Sequence, residues 1–268
     1  MERILVLVDF SDASANAVLF AAELSKRSGA NLLITNVLKN AADEDETVNT
    51  MNFIAADLKK TYGSDFKYEI LATHGSFISA VKKIIEEQAP DLVVMGTKGA
   101  SGLKELLIGS NTVNVISKTD VPVLVIPEAA RFEDFSRKGK SRIVLATDLE
   151  LENFDALKIL KEIALFIIEP RIRVLSVRPA YTNLSDEKRE KRDNVMAFFN
   201  PEIETNRVTV FSDNVIGGIN FYLNEKTDDT GLIAMVANDS GGLIQKHYTR
   251  EMASHTHLPL LVLHDVKS

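Results

Sequence analysis

The chain has no cysteine and no tryptophan among its 268 residues. Without cysteine there is no disulfide, no thiolate metal site and no cysteine nucleophile, an absence that fits a reducing compartment. No apolar run approaches the roughly 18 residues of a membrane span. The stretch at 4–8, closed by Asp9, is too short for the core of a signal peptide. A cytoplasmic protein with no membrane partner is expected. Positive charge is also scarce: 31 Lys and Arg face 38 Asp and Glu, for a net charge of −7. Such a chain has no global attraction for nucleic acid or anionic lipid, and no aromatic-plus-basic platform for single strands is present. A phosphate site, if there is one, must therefore be local.

Familiar catalytic patterns are missing as well. There is no H-E-x-x-H and no G-x-S-x-G elbow. His247, His255, His257 and His264 lie near one another in sequence but lack a carboxylate pattern, so they read as surface or packing residues. Gly139-Lys140-Ser141 imitates the end of a Walker A loop. Asp134 stands where that motif needs glycine, and the tripeptide precedes a strand instead of following one.

What is present is alternation. Short apolar runs occupy 4–8, 31–37, 66–71, 91–95 and 121–126. Runs of this length, rich in Val, Ile and Leu, read as strands buried on both faces of a parallel sheet. Between them, 11–27, 47–62 and 76–87 have helical spacing. Ser11 is the expected N-cap of the first helix and Gly29 its stop, with apolar positions at Ala15, Val18, Leu19, Ala22 and Leu24. Strand and helix alternate throughout, which predicts an α/β fold with helices on both faces of the sheet. The acidic run 43–46 reads as a solvated loop, and the mixed-charge run 185–193 as a helix face.

The pattern then repeats. Arg3-Ile4-Leu5-Val6-Leu7-Val8-Asp9 returns as Arg142-Ile143-Val144-Leu145-Ala146-Thr147-Asp148. The strand at 91–95 returns at 230–235, and Val121-Pro122-Val123-Leu124-Val125 as Leu258-Pro259-Leu260-Leu261-Val262. A period near 140 residues is a duplicated domain, not a solenoid. The expected organisation is a first domain at 1–128, a charged linker at 129–141 and a second domain at 142–268.

The segment after the fourth strand carries the chemistry. It runs Met95-Gly96-Thr97-Lys98-Gly99 and reaches Gly109-Ser110-Asn111-Thr112. Glycine lets backbone approach a ligand closely. A glycine turn leaving a strand gathers N–H groups into an anion nest, and the helix that follows offers the positive end of its dipole. Ser110, Asn111 and Thr112 add hydroxyl and amide donors, and Lys98 adds a positive charge. In doubly wound sheets ligands sit beyond the carboxyl ends of the strands, at the switch point. Asp9 ends the first strand on that edge and can accept from ribose hydroxyls; Val37 ends the second and can wall an adenine ring.

Gly96, two residues, Gly99, nine residues, Gly109 and Ser110 fit G-x2-G-x9-G-S/T. Together with Val8-Asp9-Phe10-Ser11 and Pro122-Val123, this spacing resembles the ATP-binding branch of the universal stress protein family over residues 1–127, and the whole chain resembles its tandem members. The resemblance implies two five-stranded parallel sheets in strand order 3-2-1-4-5. It implies that Gly96, Gly99, Gly109 and Ser110 hold ribose and phosphates, with Met95, Asn111 and Thr112 beside them, and that Asp9 and Val37 hold the adenosine end. Lys98 takes a position where relatives often carry histidine. The implied ligand is ATP, or AMP or ADP, with Mg²⁺ bridging the phosphates. The resemblance further implies pairing through the fifth strand, as a pseudo-dimer of the two halves or as a homodimer.

The second half lacks the glycines. Val236 and Asp239 stand for Gly96 and Gly99, and Lys246 and His247 for Gly109 and Ser110. Asp239 would repel phosphate and the added Cβ atoms would block close approach, so this half is expected not to hold ATP. Ser240-Gly241-Gly242 keeps the makings of a small-anion turn. The function expected is a stress-responsive, ligand-binding regulatory module and not an enzyme, since no general base marks the γ-phosphate. The rival readings are a slow ATPase or phosphotransferase and a nucleotide-independent, chaperone-like module.

Overall fold

The structure, a computed structural model, describes residues 1–97, 110–136, 142–149, 151, 154–180, 182–225, 229–237, 252 and 257–265. The chain divides into two compact units, Met1–Ala130 and Arg131–Ser268.

The first unit runs β1 (Arg3–Leu7), α1 (Asp12–Ser28), β2 (Asn31–Leu38), a 3₁₀ turn (Ala41–Asp43), α2 (Glu44–Tyr62), β3 (Tyr68–His74), α3 (Phe77–Gln88), β4 (Leu92–Thr97), α4 (Ser110–Lys118) and β5 (Val123–Pro127). All its strand pairs are parallel, in the order β3-β2-β1-β4-β5. The three inner strands are apolar on both faces, because helices cover both: Ile4, Leu5, Val6, Leu92, Val93 and Val94 have no exposed surface. β1 pairs Leu7 with Thr35 on one side and with Met95 on the other, which aligns three carboxyl ends at one edge.

The second unit follows the same plan. It begins with a short helix α5 (Phe132–Ser136) and continues β6 (Arg142–Ala146), α6 (Asp155–Leu165), β7 (Arg171–Arg178), α7 (Asp186–Phe199), β8 (Glu204–Phe211), α8 (Val215–Glu225), β9 (Thr230–Ala237) and β10 (Leu260–His264). Its strands are parallel in the order β8-β7-β6-β9-β10. Counted within the unit, this is again 3-2-1-4-5, the doubly wound arrangement expected for both halves.

Local chemistry explains where the elements begin and end. Ser11 is extended, at φ −77° and ψ 161°, and its Oγ accepts from the Ser14 N–H; Gly29 closes α1 in the left-handed region at φ 75°. Ala15 and Leu19 face outward, however, and α1 packs through Ala13, Ala17, Val18, Phe20, Ala21, Ala22 and Leu24. The acidic run is no loop: Glu44, Asp45 and Glu46 form the first turn of α2, where negative charge is favoured by the helix dipole. β3 starts two residues later than its apolar run suggests and extends through Ala72-Thr73-His74. Phe66 is buried in the turn before it, and β3 is an edge strand that needs no apolar face on both sides. The stretch read as a linker contains α5, which buries Phe132 and Phe135 edge to face, with ring centroids 5.5 Å apart.

Candidate functional site

At the carboxyl edge of the first unit the chain leaves β1 through Val8-Asp9-Phe10-Ser11. The Val8 N–H donates to Thr35 O at 2.8 Å, and Asn36 Nδ2 donates to Val8 O at 2.8 Å, so the exit of β1 is fixed against β2. Phe10 then turns the chain sharply, at φ 61°. A side chain in the left-handed region is costly for anything but glycine, Asn or Asp. The second unit repeats the device at Leu149, φ 65°, directly after Asp148.

Asp9 is held in place by the start of α1. Its Oδ1 accepts from the Ser11 N–H at 3.1 Å and from Ser11 Oγ at 2.6 Å. Ser11 Oγ in turn accepts from the Ser14 N–H at 3.3 Å. Burial pushes the Asp9 carboxyl up, but hydrogen bonds from Ser11, Ser14 and its own backbone outweigh it and hold the group below the ordinary carboxylate range. Asp9 is thus an ionised acceptor at neutral pH.

Gly96 lies inside β4, and its missing side chain is explained by packing. A Cβ there would stand 2.3 Å from Ala13 O and 2.7 Å from Ser14 N, both backbone atoms of α1. The residue lets the first turn of α1 lie directly on β4. This brings Asp9 and Ser11 up to Met95, Gly96 and Thr97.

The result is a cavity of about 210 Å³ beyond the strand ends. Asp9, Ser11, Ser14, Thr97, Asn111 and Thr112 supply its polar wall; Leu7, Val8, Met95 and Phe77 supply the apolar one. Thr97 Oγ1 is buried and has no hydrogen-bond partner among the described residues. A hydroxyl in a cavity wall can both accept and donate. Asn111 and Thr112 come from the first turn of α4, where the helix dipole favours negative charge.

Of the residues expected from sequence, the structure gathers Asp9, Met95, Gly96, Asn111 and Thr112 around this cavity. Val37 does not line it. Side chains alternate along β2, and Asn36 is the one that turns to the end of β1, leaving half-buried Val37 on the opposite face. Ser110 opens α4 and is exposed, outside the cavity wall. Lys98, Gly99 and Gly109 lie outside the described residues, as do 238–251 of the second unit. Sequence reasoning does not find Phe77, Thr97 or the Ser11–Ser14 pair as wall residues. In the sequence Ser11 is visible only as a helix cap, and Thr97 only as a spacer between glycines.

Residues 1–127 match the family described as the universal stress protein family. A universal stress protein of Methanocaldococcus jannaschii is 38% identical over 91 residues, covering 34% of this chain and 54% of that protein. One of Synechocystis is 30% identical over 122 residues, covering 46% of this chain and 41% of that protein. The chain thus spans about half the length of these relatives. The crystal structure of a universal stress protein from Archaeoglobus fulgidus superposes on 98% of this chain and 98% of its own length with a TM-score of 0.69 at 18% identity, a likeness of fold. The first unit, residues 1–127, thus matches the universal stress protein family, and the whole chain shares the fold of a universal stress protein.

Proposed function

We propose that the first unit binds an adenine nucleotide and that the chain acts as a ligand-responsive regulatory module in a stress response. The observation that carries this reading is the cavity at the switch point of the sheet. There an ionised Asp9, the Thr97 hydroxyl and the start of α4 converge beside an apolar wall. Asp9 accepts hydrogen bonds from ribose hydroxyls. Leu7, Val8, Met95 and Phe77 pack against the nucleoside. The phosphates run along the start of α4, over the glycine pattern Gly99…Gly109-Ser110. At about 210 Å³ the cavity takes one end of a nucleotide and leaves its phosphates to that loop.

Mg²⁺, where present, is held by the phosphates: among the described residues no group of three His, Cys, Asp or Glu is placed to hold a metal ion. Regulation follows from differential binding. The nucleotide favours one arrangement of the segment joining β4 to α4, and a partner reads the surface that results.

Calorimetry of the intact chain with ATP, ADP and AMP, with and without Mg²⁺, tests the reading. One nucleotide per chain is expected, weakened at least about tenfold in Asp9→Ala and in Gly109→Val. No heat with folded protein, or equal affinity in both variants, overturns it.

A further inference from the structure

The second unit lacks the glycines and yet has a cavity at the same edge, of about 340 Å³. It opens between the ends of β6 and β7 and the start of α7, and Arg178 is part of its wall. Arg178 is the last residue of β7, and no cation stands at the matched position of the first unit, where the last residue of β2 is Leu38. Its guanidinium carbon sits 5.1 Å from the centroid of the Phe211 ring, on neighbouring β8. Its Nε and Nη1 are buried, and neither has a hydrogen-bond partner among the described residues. A charged donor left without an acceptor in a buried position is expensive, and its commonest natural acceptors are carboxylate and phosphate oxygens.

The rest of the wall agrees in chemistry. Lys188 adds a second positive charge from the first turn of α7. Ser185 caps that helix, its Oγ accepting from the Lys188 N–H at 3.2 Å. Thr182 is fixed by its own hydroxyl, which donates to Pro179 O at 2.7 Å. Asp148 brings one carboxylate to the same wall. A bare polyanion is disfavoured beside it, whereas a ligand with a hydroxyl to donate is accommodated. Leu149, Val177 and Leu184 line the remainder.

We infer that the second unit is not an empty copy but holds a small hydroxyl-bearing oxyanion, with Arg178 in place of the missing glycine loop. The shared chemistry is a phosphate group, either free phosphate or a phosphate monoester. The site is independent of the nucleotide site proposed for the first unit.

Equilibrium dialysis of the intact chain against radiolabelled orthophosphate and against a labelled sugar monophosphate tests it. The proteins compared are wild type, Arg178→Gln, Arg178→Lys and the first-unit variant Gly109→Val. Saturable binding is expected for wild type and for Gly109→Val. It falls at least about tenfold in Arg178→Gln, the loss of one charge-assisted contact, and less in Arg178→Lys. Tighter binding of the monoester supports that source, and equal binding supports the free ion. Thermal melts show whether each variant is folded. No saturable binding by wild type, or equal binding by folded Arg178→Gln, overturns the inference. Binding lost in Gly109→Val and kept in Arg178→Gln assigns the phosphate to the first unit and overturns it too.

Discussion

Gly96→Ala is the substitution whose outcome separates two explanations of the same glycine. If glycine is there to admit a ligand, alanine harms binding alone. The geometry says otherwise: the new Cβ would lie 2.3 Å from Ala13 O, 2.4 Å from Ala13 C and 2.7 Å from Ser14 N. Real Cβ contacts essentially never fall under 3.0 Å, so α1 must move by about 1 Å. Neither neighbour can swing away, because both are backbone and both belong to the first turn of a helix whose other end is capped at Gly29. Overpacking of this severity costs about 1–3 kcal/mol. A loss near 2 kcal/mol raises native-state amide exchange by roughly 30-fold for protons released by opening of the unit. Hydrogen exchange read by mass spectrometry on the nucleotide-free chain resolves this by segment. The increase is expected in β1, α1 and β4 and not in β6–β9. Exchange within about twofold of wild type across β1, α1 and β4 refutes the packing argument, whatever happens to nucleotide affinity.

Two further outcomes follow from single contacts. Asn16 is buried in α1, and its Nδ2 donates to Pro127 O at 3.0 Å and to Ala130 O at 2.8 Å, tying the helix to the end of β5; Asn16→Ala removes both hydrogen bonds, and urea unfolding should show a loss of about 1–3 kcal/mol. Asp9 has a folded pKa below its ordinary 3.8, so the stability it lends is complete above that value and is lost as pH falls through the lower folded one; NMR titration should find the Asp9 carboxyl rising towards 3.8 in Ser11→Ala, and an unchanged value contradicts the assignment.

Much of the fold is legible because a doubly wound sheet writes itself into sequence plainly. Inner strands buried on both faces become continuous apolar runs, and the runs at 4–8 and 91–95 match β1 and β4 to within two residues. Duplication reinforces the reading, since Arg3–Leu7 and Arg142–Ala146 occupy the same place in their sheets. β3 is less clear: an edge strand is half solvated, so Thr73 and His74 belong to it without looking apolar. The acidic start of α2 reads wrongly as a loop because charge alone does not separate a loop from a helix N-terminus.

The site divides in the same way. Asp9, Gly96 and Thr112 are visible as residue types at the right strand and helix ends. The left-handed turns at Phe10 and Leu149 are not, because neither residue type signals a positive φ. The packing of Gly96 against Ala13 and of Arg178 against Phe211 depends on what lies opposite in space, and a single sequence does not record that.

The central claim is that a nucleotide occupies the edge of the first unit, against Asp9 and the start of α4. Photo-crosslinking of the intact chain with an azido-adenine analogue of ATP, followed by peptide mapping, tests it directly. Label within residues 7–14, 77 and 95–112, competed away by ATP, is the predicted result. Label confined to the second unit, or none that ATP displaces, contradicts it.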